Sequence, residues 1–366
     1  MQIHVVRDID DPALKADWER LAREADVFPQ SAYHWCSTWW RYLARRRELH
    51  TVMVLDDKGH VMGIAPLCIE RRPGVRVLRS FPVNYGDFFQ FLVSPEAQEK
   101  SVFEAVLEYV TRYRQWNCAL FSPVNDRSIL YRFLNGRGYT SKHLIGNIVA
   151  DIGADSWDEY AATLSGHRRR LTQRKMRALE ERHDVDVEVV RDGAGYANYF
   201  DRIRELIDAR GERDRPKRSD VYMECVRETN LRLFEEGRMM LYLIKASGTV
   251  IAYRIGIVHG DTFYDWNTSY DMTWAEYSPG SLSIAYMIRD LIARGFAKLD
   301  FMAGAYDFKL TYSATHEMRN SHLFVMGDRS LGSRLFCRYQ LAWRDRLRPY
   351  YRKIVHPTLK QPAPLG

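Results

Sequence analysis

The sequence predicts an α/β protein of two tandem lobes. Each is a mixed, mostly antiparallel sheet flanked by helices, and an amphipathic helix follows at the C-terminal end. Three observations lead there. The chain has 366 residues, 46% of them apolar, which is long for one domain and sufficient for two cores. Stretches of apolar residues at strand spacing interleave with stretches at helical spacing. The order of these stretches in the first half returns in the second, in pattern but with little identity.

The first lobe is read over 1–152. Residues 3–9 form a strand, and Pro12, Trp18 and Leu21 mark a helix. In 28–44, Ser31 is the expected N-cap of a helix with Trp35, Trp39 and Leu43 on one face. Strands are expected at 50–56 and 61–71 around a turn at 57–60, then at 75–81 and 88–93. A helix at 99–113, a strand at 118–124, a helix at 128–138 and a strand at 143–152 complete the lobe.

The second lobe is read over 153–330. It opens with a helical stretch at 156–182, a strand at 186–192 and helices at 196–210 and 219–237. A hairpin follows at 239–247 and 250–260, turning at Gly248, with the next strand at 261–271. A helix at 278–296 stops at Gly295, and strands at 298–304 and 321–327 close the lobe. Residues 331–355 place Leu335, Tyr339, Trp343 and Leu347 at every fourth position of a basic amphipathic helix, within a tail of 331–366.

Composition narrows the function classes. The five cysteines are scattered, so buried thiols are expected and no disulfide framework. No CxxC or HExxH pairing is present, so no metal is expected. No apolar run reaches membrane-spanning length and no signal peptide is apparent, so a cytoplasmic protein is expected. The net charge is +7, and residues 331–366 carry eight basic residues against Asp345 alone. A second basic run lies at 167–177. Both point to an anionic partner: phosphate, nucleic acid or the inner face of a membrane.

The stretch KLDFMAGAYDFKLTY at 298–312 is the most telling. An apolar strand carrying Asp300 breaks at Gly304 and at once presents Tyr306, Asp307 and Lys309. It resembles, with Tyr277-Ser278-Pro279-Gly280 and Gly295 before it, the GNAT acyltransferase fold of the BioF2-like and CelD-like type, related to the FemAB aminoacyltransferases. The Gln-Ser…Trp…Trp helix at 28–44, the strand around 64–72 and the Arg-rich helix at 165–180 resemble that family too. Coverage is about residues 15–327. The resemblance implies a transferase with two GNAT-like lobes, acyl-CoA such as acetyl-CoA as donor, and an amine acceptor between the lobes. It suggests a small metabolite or a bacterial polysaccharide or cell-envelope precursor as acceptor.

Within that frame, Ser278, Gly280 and Ser281 open a helix, where backbone N–H groups and the dipole favour an anion. The family's full Gly-rich pyrophosphate loop is missing, which leaves an ordinary capped helix, or a FemAB-like aminoacyl-tRNA donor, as alternatives. Arg170 and Arg174 share a helix face and suit donor phosphates or a tRNA backbone. Tyr306 suits protonation of the leaving thiolate, Lys309 an oxyanion or phosphate, and Asp307 the amine. Asp265 and Asp300 are the remaining catalytic candidates, with Asp265 in a row that alternation extends to Asn267, Ser269 and Asp271. Tyr85, Asp87 and Tyr277 are expected acceptor contacts. A third reading is a non-catalytic, membrane-associated GNAT-like scaffold in exopolysaccharide production, with the 331–355 helix as a peripheral contact.

Overall fold

The structure, a computed structural model, describes residues 1–112, 115–214, 218–304, 307–327 and 330–343, the side chains of 210–214 and 343 excepted. The chain divides into two compact units, one of Met1–Ile145 with the stretch that begins at Arg319, the other of residues 146–318.

The first unit runs β1 (Gln2–Val6), α1 (Pro12–Glu24), α2 (Tyr33–Leu43), β2 (Glu48–Leu49), β3 (Thr51–Leu55), β4 (Val61–Ala65), β5 (Leu67–Arg72), β6 (Val75–Ser80) and β7 (Leu92–Val93). It continues with α3 (Glu99–Arg112), β8 (Cys118–Asn125), α4 (Ile129–Gly136) and the start of β9 (Thr140–Asp151). Its strands form β1-β3-β4-β7 and β8-β6-β5-β2. Period-2 apolar residues of these strands meet the Val102, Val106 and Val110 stripe of α3 in one core with Phe91, Phe103 and Phe121. Ser31 does not cap α2. It sits buried in a single 3-10 turn, and Ala32 occupies the cap position. The expected strand at 88–93 is only β7, because the chain before it forms aromatic contacts such as Phe89–Phe91 instead of a ladder.

The second unit contains α5 (Trp157–Thr163), α6 (Gly166–Glu180), β10 (Val185–Val190), α7 (Gly193–Asp214), α8 (Asp220–Glu235), β11 (Met239–Ala246), β12 (Thr249–His259), β13 (Thr262–Tyr270), α9 (Pro279–Ala293), β14 (Lys298–Ala303) and the short α10 (Asp307–Leu310). Its strand order is β10-β11-β12-β13-β14-β9. Antiparallel pairing runs from β10 to β13, whereas β13 and β14 are parallel, as the crossover through α9 requires. Ile284, Ala285, Ile288 and Leu291 of α9 pack on Phe263, Leu299, Phe301, Ile148 and Ala150. The expected helix at 156–182 is two helices, since Ser165 caps α6 afresh.

The strand expected at 321–327 belongs to β15 (His316–Met326), which pairs antiparallel with β8 of the first unit through residues 321–326. After it, α11 (Leu331–Arg338) and one π-helical turn at Tyr339–Trp343 follow. The remainder of the expected 331–355 helix lies outside the described residues. Among the described residues no helix is long and apolar enough to cross a membrane.

Candidate functional site

β13 and β14 share only three registered pairs, Thr262–Lys298, Phe263–Leu299 and Tyr264–Asp300, and pair no further. Each strand carries its own distortion at that point. On β13, two residues, Asp265 and Trp266, stand opposite Gly256 of β12, since Ile257 pairs with Tyr264 and Ile255 with Asn267. Such an extra residue bends its strand and interrupts the ladder. Gly256 is required here: a Cβ would lie 2.2 Å from the Phe263 ring and 2.5 Å from the Tyr264 carbonyl oxygen.

This bulge corrects the expected polar row. Asp265 faces α9 through Arg254, whereas Asn267 accepts from the Tyr253 hydroxyl on the opposite face. Ser269 donates to the Leu206 carbonyl of α7 at 2.7 Å, and Asp271 accepts from Thr273 and Arg202.

On β14 the register to β9 also slips, between Asp300 and Ala303. Met302 takes φ 54°, a left-handed conformation uncommon for a non-glycine residue. Two buried charged residues brace it. The Asp300 carboxylate accepts from Met302 N–H at 2.7 Å. The Lys309 Nζ donates to the carbonyls of Phe301 at 2.7 Å, Met302 at 3.3 Å and Ala303 at 3.3 Å. Three carbonyls therefore take up an ammonium expected to meet an oxyanion or phosphate, and the geometry gives Lys309 the work of holding the end of β14 in place. Asp307 begins α10 and is exposed. Tyr306, the expected proton donor, lies outside the described residues.

Arg254, at the centre of the apolar strand β12, escaped the sequence reading. It is 3% exposed. Its Nη1 donates to Asp265 Oδ2, its Nε to Ser283 Oγ at 2.9 Å and its Nη2 to the Gly280 carbonyl at 3.2 Å. The guanidinium thus ties the bulge to the first turn of α9. A lone charged residue within VIAYRIGIV was the available signal, because a buried charge needs a partner. The Asp265 Oδ1 has no hydrogen-bond partner among the described residues. Burial pushes the Asp265 carboxyl above its ordinary range, while Arg254 and Lys309 pull it back down.

The start of α9 is left-handed at Ser278, φ 57°, and the Ser278 side chain makes no cap. Ser281 and Leu282 donate to the Ser278 carbonyl at 2.9 and 3.1 Å. Tyr312 donates to the Ser281 carbonyl at 2.9 Å and Tyr160 to the Tyr312 carbonyl, so a tyrosine pair fixes this turn. Tyr270 stacks so closely that a Cβ on Gly280 would lie 2.9 Å from its ring. Tyr277 is buried against Trp274 and His183 in a small core with Leu282 and Tyr286, which corrects its expected role as a substrate contact. Alongside, α6 leaves Arg170, Arg174 and Arg177 exposed around a groove of about 370 Å³.

In the first unit Tyr85 is buried against Trp35, whose Nε1 donates to the Tyr85 carbonyl at 3.0 Å. The Asp87 N–H donates to Gln30 Oε1 at 2.7 Å. These residues form a loop braced by a buried glutamine. Among the described residues no group of three His, Cys, Asp or Glu is placed to hold a metal.

Residues 166–310 match the family model described as an acetyltransferase (GNAT) domain. No curated protein matches the chain. Among solved structures it is similar to FemX, with a TM-score of 0.60 at 12% identity over 93% of this chain and 100% of that one. It is similar to L-PGS from Bacillus licheniformis, with a TM-score of 0.54 at 12% identity over 90% and 96%. A tandem GNAT protein from the clavulanic acid biosynthesis pathway gives 0.50 at 13% identity over 88% and 98%. At such identities the likeness establishes fold. Residues 166–310 are thus similar to a GNAT acetyltransferase domain, and the likeness to FemX is one of fold over most of the chain.

Proposed function

We propose that the chain is an N-acyltransferase that moves an acyl group from acyl-CoA, acetyl-CoA included, to an amine of a small metabolite or a polysaccharide or cell-envelope precursor. The observation that carries this reading is the parting of β13 from β14 after Tyr264 and Asp300, beside the uncapped first turn of α9. The donor's pyrophosphate would lie on that turn, with the Gly280 N–H as its donor and Ser278 and Ser281 around it. Arg170 and Arg174 would meet its remaining phosphate. The thioester would sit in the opening, where Asp265 accepts the proton that the attacking nitrogen loses. Tyr306 would return a proton to the coenzyme A thiolate as the C–S bond breaks and the C–N bond forms. Asp300 and Lys309 hold the opening's far wall, and Asp307 is the proposed contact for a cationic acceptor.

A second donor is favoured by one observation. The exposed row Arg170, Arg174 and Arg177 suits a polyanion longer than a pyrophosphate, as aminoacyl-tRNA would be in a FemAB-like reaction. Thermal shifts with coenzyme A, acyl-CoA thioesters and aminoacyl-tRNA at low and high salt separate the two. A ligand at about 100 times its Kd adds roughly 2.7 kcal/mol to the folded state. A rise with thioesters supports the first reading, and salt-sensitive protection by aminoacyl-tRNA alone supports the second. Silence from both leaves a non-catalytic scaffold.

We also place the protein at the inner membrane face. Leu331, Leu335 and Tyr339 are 75%, 50% and 40% exposed, with Arg334 and Arg338 exposed between them, while Ser333 and Cys337 anchor the helix's other side. That is an interfacial helix for anionic lipid. Flotation with anionic vesicles, lost on Leu331→Asp with Leu335→Asp, tests it.

A further inference from the structure

Beneath α7 and α8 runs a slot that the proposed chemistry does not use. Its walls include Phe200 and Ile203 of α7, Val226 and Asn230 of α8, Tyr253 of β12 and Trp266 of β13. The two helices are antiparallel: Arg204 donates to Asp220 near one end, and Asn230 Nδ2 to the Tyr196 hydroxyl at 2.9 Å near the other. Tyr222 and Asn230 both line the slot, and at 1.5 Å per residue they lie about 12 Å apart along α8.

The volume is small, about 40 Å³. A single water takes roughly 10–15 Å³ by the same measure, so the slot offers about three water-sized positions. A sugar or an aromatic ring does not fit in that space. An unbranched chain does, and the aliphatic and aromatic walls suit one. One group argues for more than a hydrocarbon. Asn230 is 2% exposed, and its Oδ1 has no hydrogen-bond partner among the described residues. A buried acceptor is destabilising unless something donates to it. At the other end, Arg218 lies over the Tyr222 ring at 4.6 Å. Trp266 follows Asp265 directly in the bulge, and the slot lies on the Tyr253 and Asn267 face of the sheet, opposite to the face on which Asp265 meets Arg254.

We propose that this slot binds a short unbranched aliphatic chain with a hydrogen-bond donor at its buried end, held by Asn230. The inference rests on the acyl-transfer reading for its place in the reaction. The chain then comes from one of two sources, the acyl group of the donor or the body of the acceptor.

The test measures thermal shifts of the full chain with coenzyme A, with straight acyl-CoA and terminally hydroxylated acyl-CoA thioesters of about two to ten carbons, and with linear amino alcohols of about three to eight carbons. Val226→Phe fills the slot, and Ile203→Val enlarges it should the first variant fail to fold. A shift beyond that of coenzyme A, peaking at a middle chain length, larger for the hydroxylated thioester and lost in Val226→Phe or moved to longer chains in Ile203→Val, supports the proposal with the donor as source. The same pattern with the amino alcohols alone supports it with the acceptor as source. A shift with coenzyme A that no chain increases overturns the slot and leaves acyl transfer standing. No shift with coenzyme A or any chain overturns both.

Discussion

Arg254 donates through Nη1 to the buried Asp265 carboxylate, and through Nη2 and Nε to the first turn of α9. One guanidinium therefore sets the distance between the strand bulge and the helix start, two features on which the proposed donor site depends. Arg254→Met leaves Asp265 charged and buried without its partner. We expect a loss of about 3–5 kcal/mol, as for other broken buried pairs. Arg254→Met with Asp265→Leu should recover part of that loss, because no charge is then stranded. Urea midpoints of Arg254→Met, Asp265→Leu and the double variant check the cycle. Equal midpoints for the single and double variants would exclude the coupling.

Asp265 makes a separate prediction about rate. Burial raises its carboxyl pKa, so the ionised, proton-accepting form is lost on acidification earlier than for an exposed aspartate. The acid limb of the kcat/KM profile should follow this group. Asp265→Asn keeps the shape and removes the base, and a rate loss of about 100-fold or more with a flattened acid limb is expected. An unchanged limb in the variant would assign the proton to water.

Lys309 should behave as a brace. Lys309→Met leaves the carbonyls of Phe301, Met302 and Ala303 without their shared donor. We expect destabilisation of about 3 kcal/mol. Binding and turnover by the folded fraction should fall less than the midpoint implies. A variant of normal stability and no activity would restore Lys309 to the chemistry.

His50 predicts an acid sensitivity in the first unit. It is 1% exposed and hydrogen-bonded to the Tyr109 hydroxyl at 2.8 Å. Burial, with Arg7 adding to it, lowers its pKa from 6.5 to about 4. The folded state thus holds the ring neutral where the unfolded chain protonates it. Its contribution is full above pH 6.5 and is lost as pH falls toward 4. Between pH 7 and pH 5 the loss is about 2 kcal/mol. His50→Gln should shrink that part of the pH dependence, as denaturation midpoints at the two pH values will report.

The architecture of the second unit was legible because its periods are local. The hairpin at Gly248 and the helix stopped at Gly295 each announce themselves within a dozen residues. Asp300 and Lys309 also stood out as polar residues in an apolar frame, yet their partners did not. Those partners are backbone carbonyls and an N–H, which look alike in every sequence. The polar row through Asp265 failed for a related reason. Alternation assumes an unbroken ladder, and one extra residue opposite Gly256 turns Asn267 and Ser269 to the other face. The pairing of residues 321–326 with β8 is a contact between distant segments, which no local period encodes.

The Tyr160–Tyr312–Ser281 chain has a practical consequence for anyone who would excise the segment similar to a GNAT domain. The recognisable domain ends at residue 310 and begins at 166, so a fragment trimmed to it discards both tyrosines. It also discards β9, leaving the β14 residues Lys298–Asp300 without the neighbours they pair with at Asp151, Ala150 and Val149. A fragment that keeps these contacts extends beyond both ends of the matched residues 166–310.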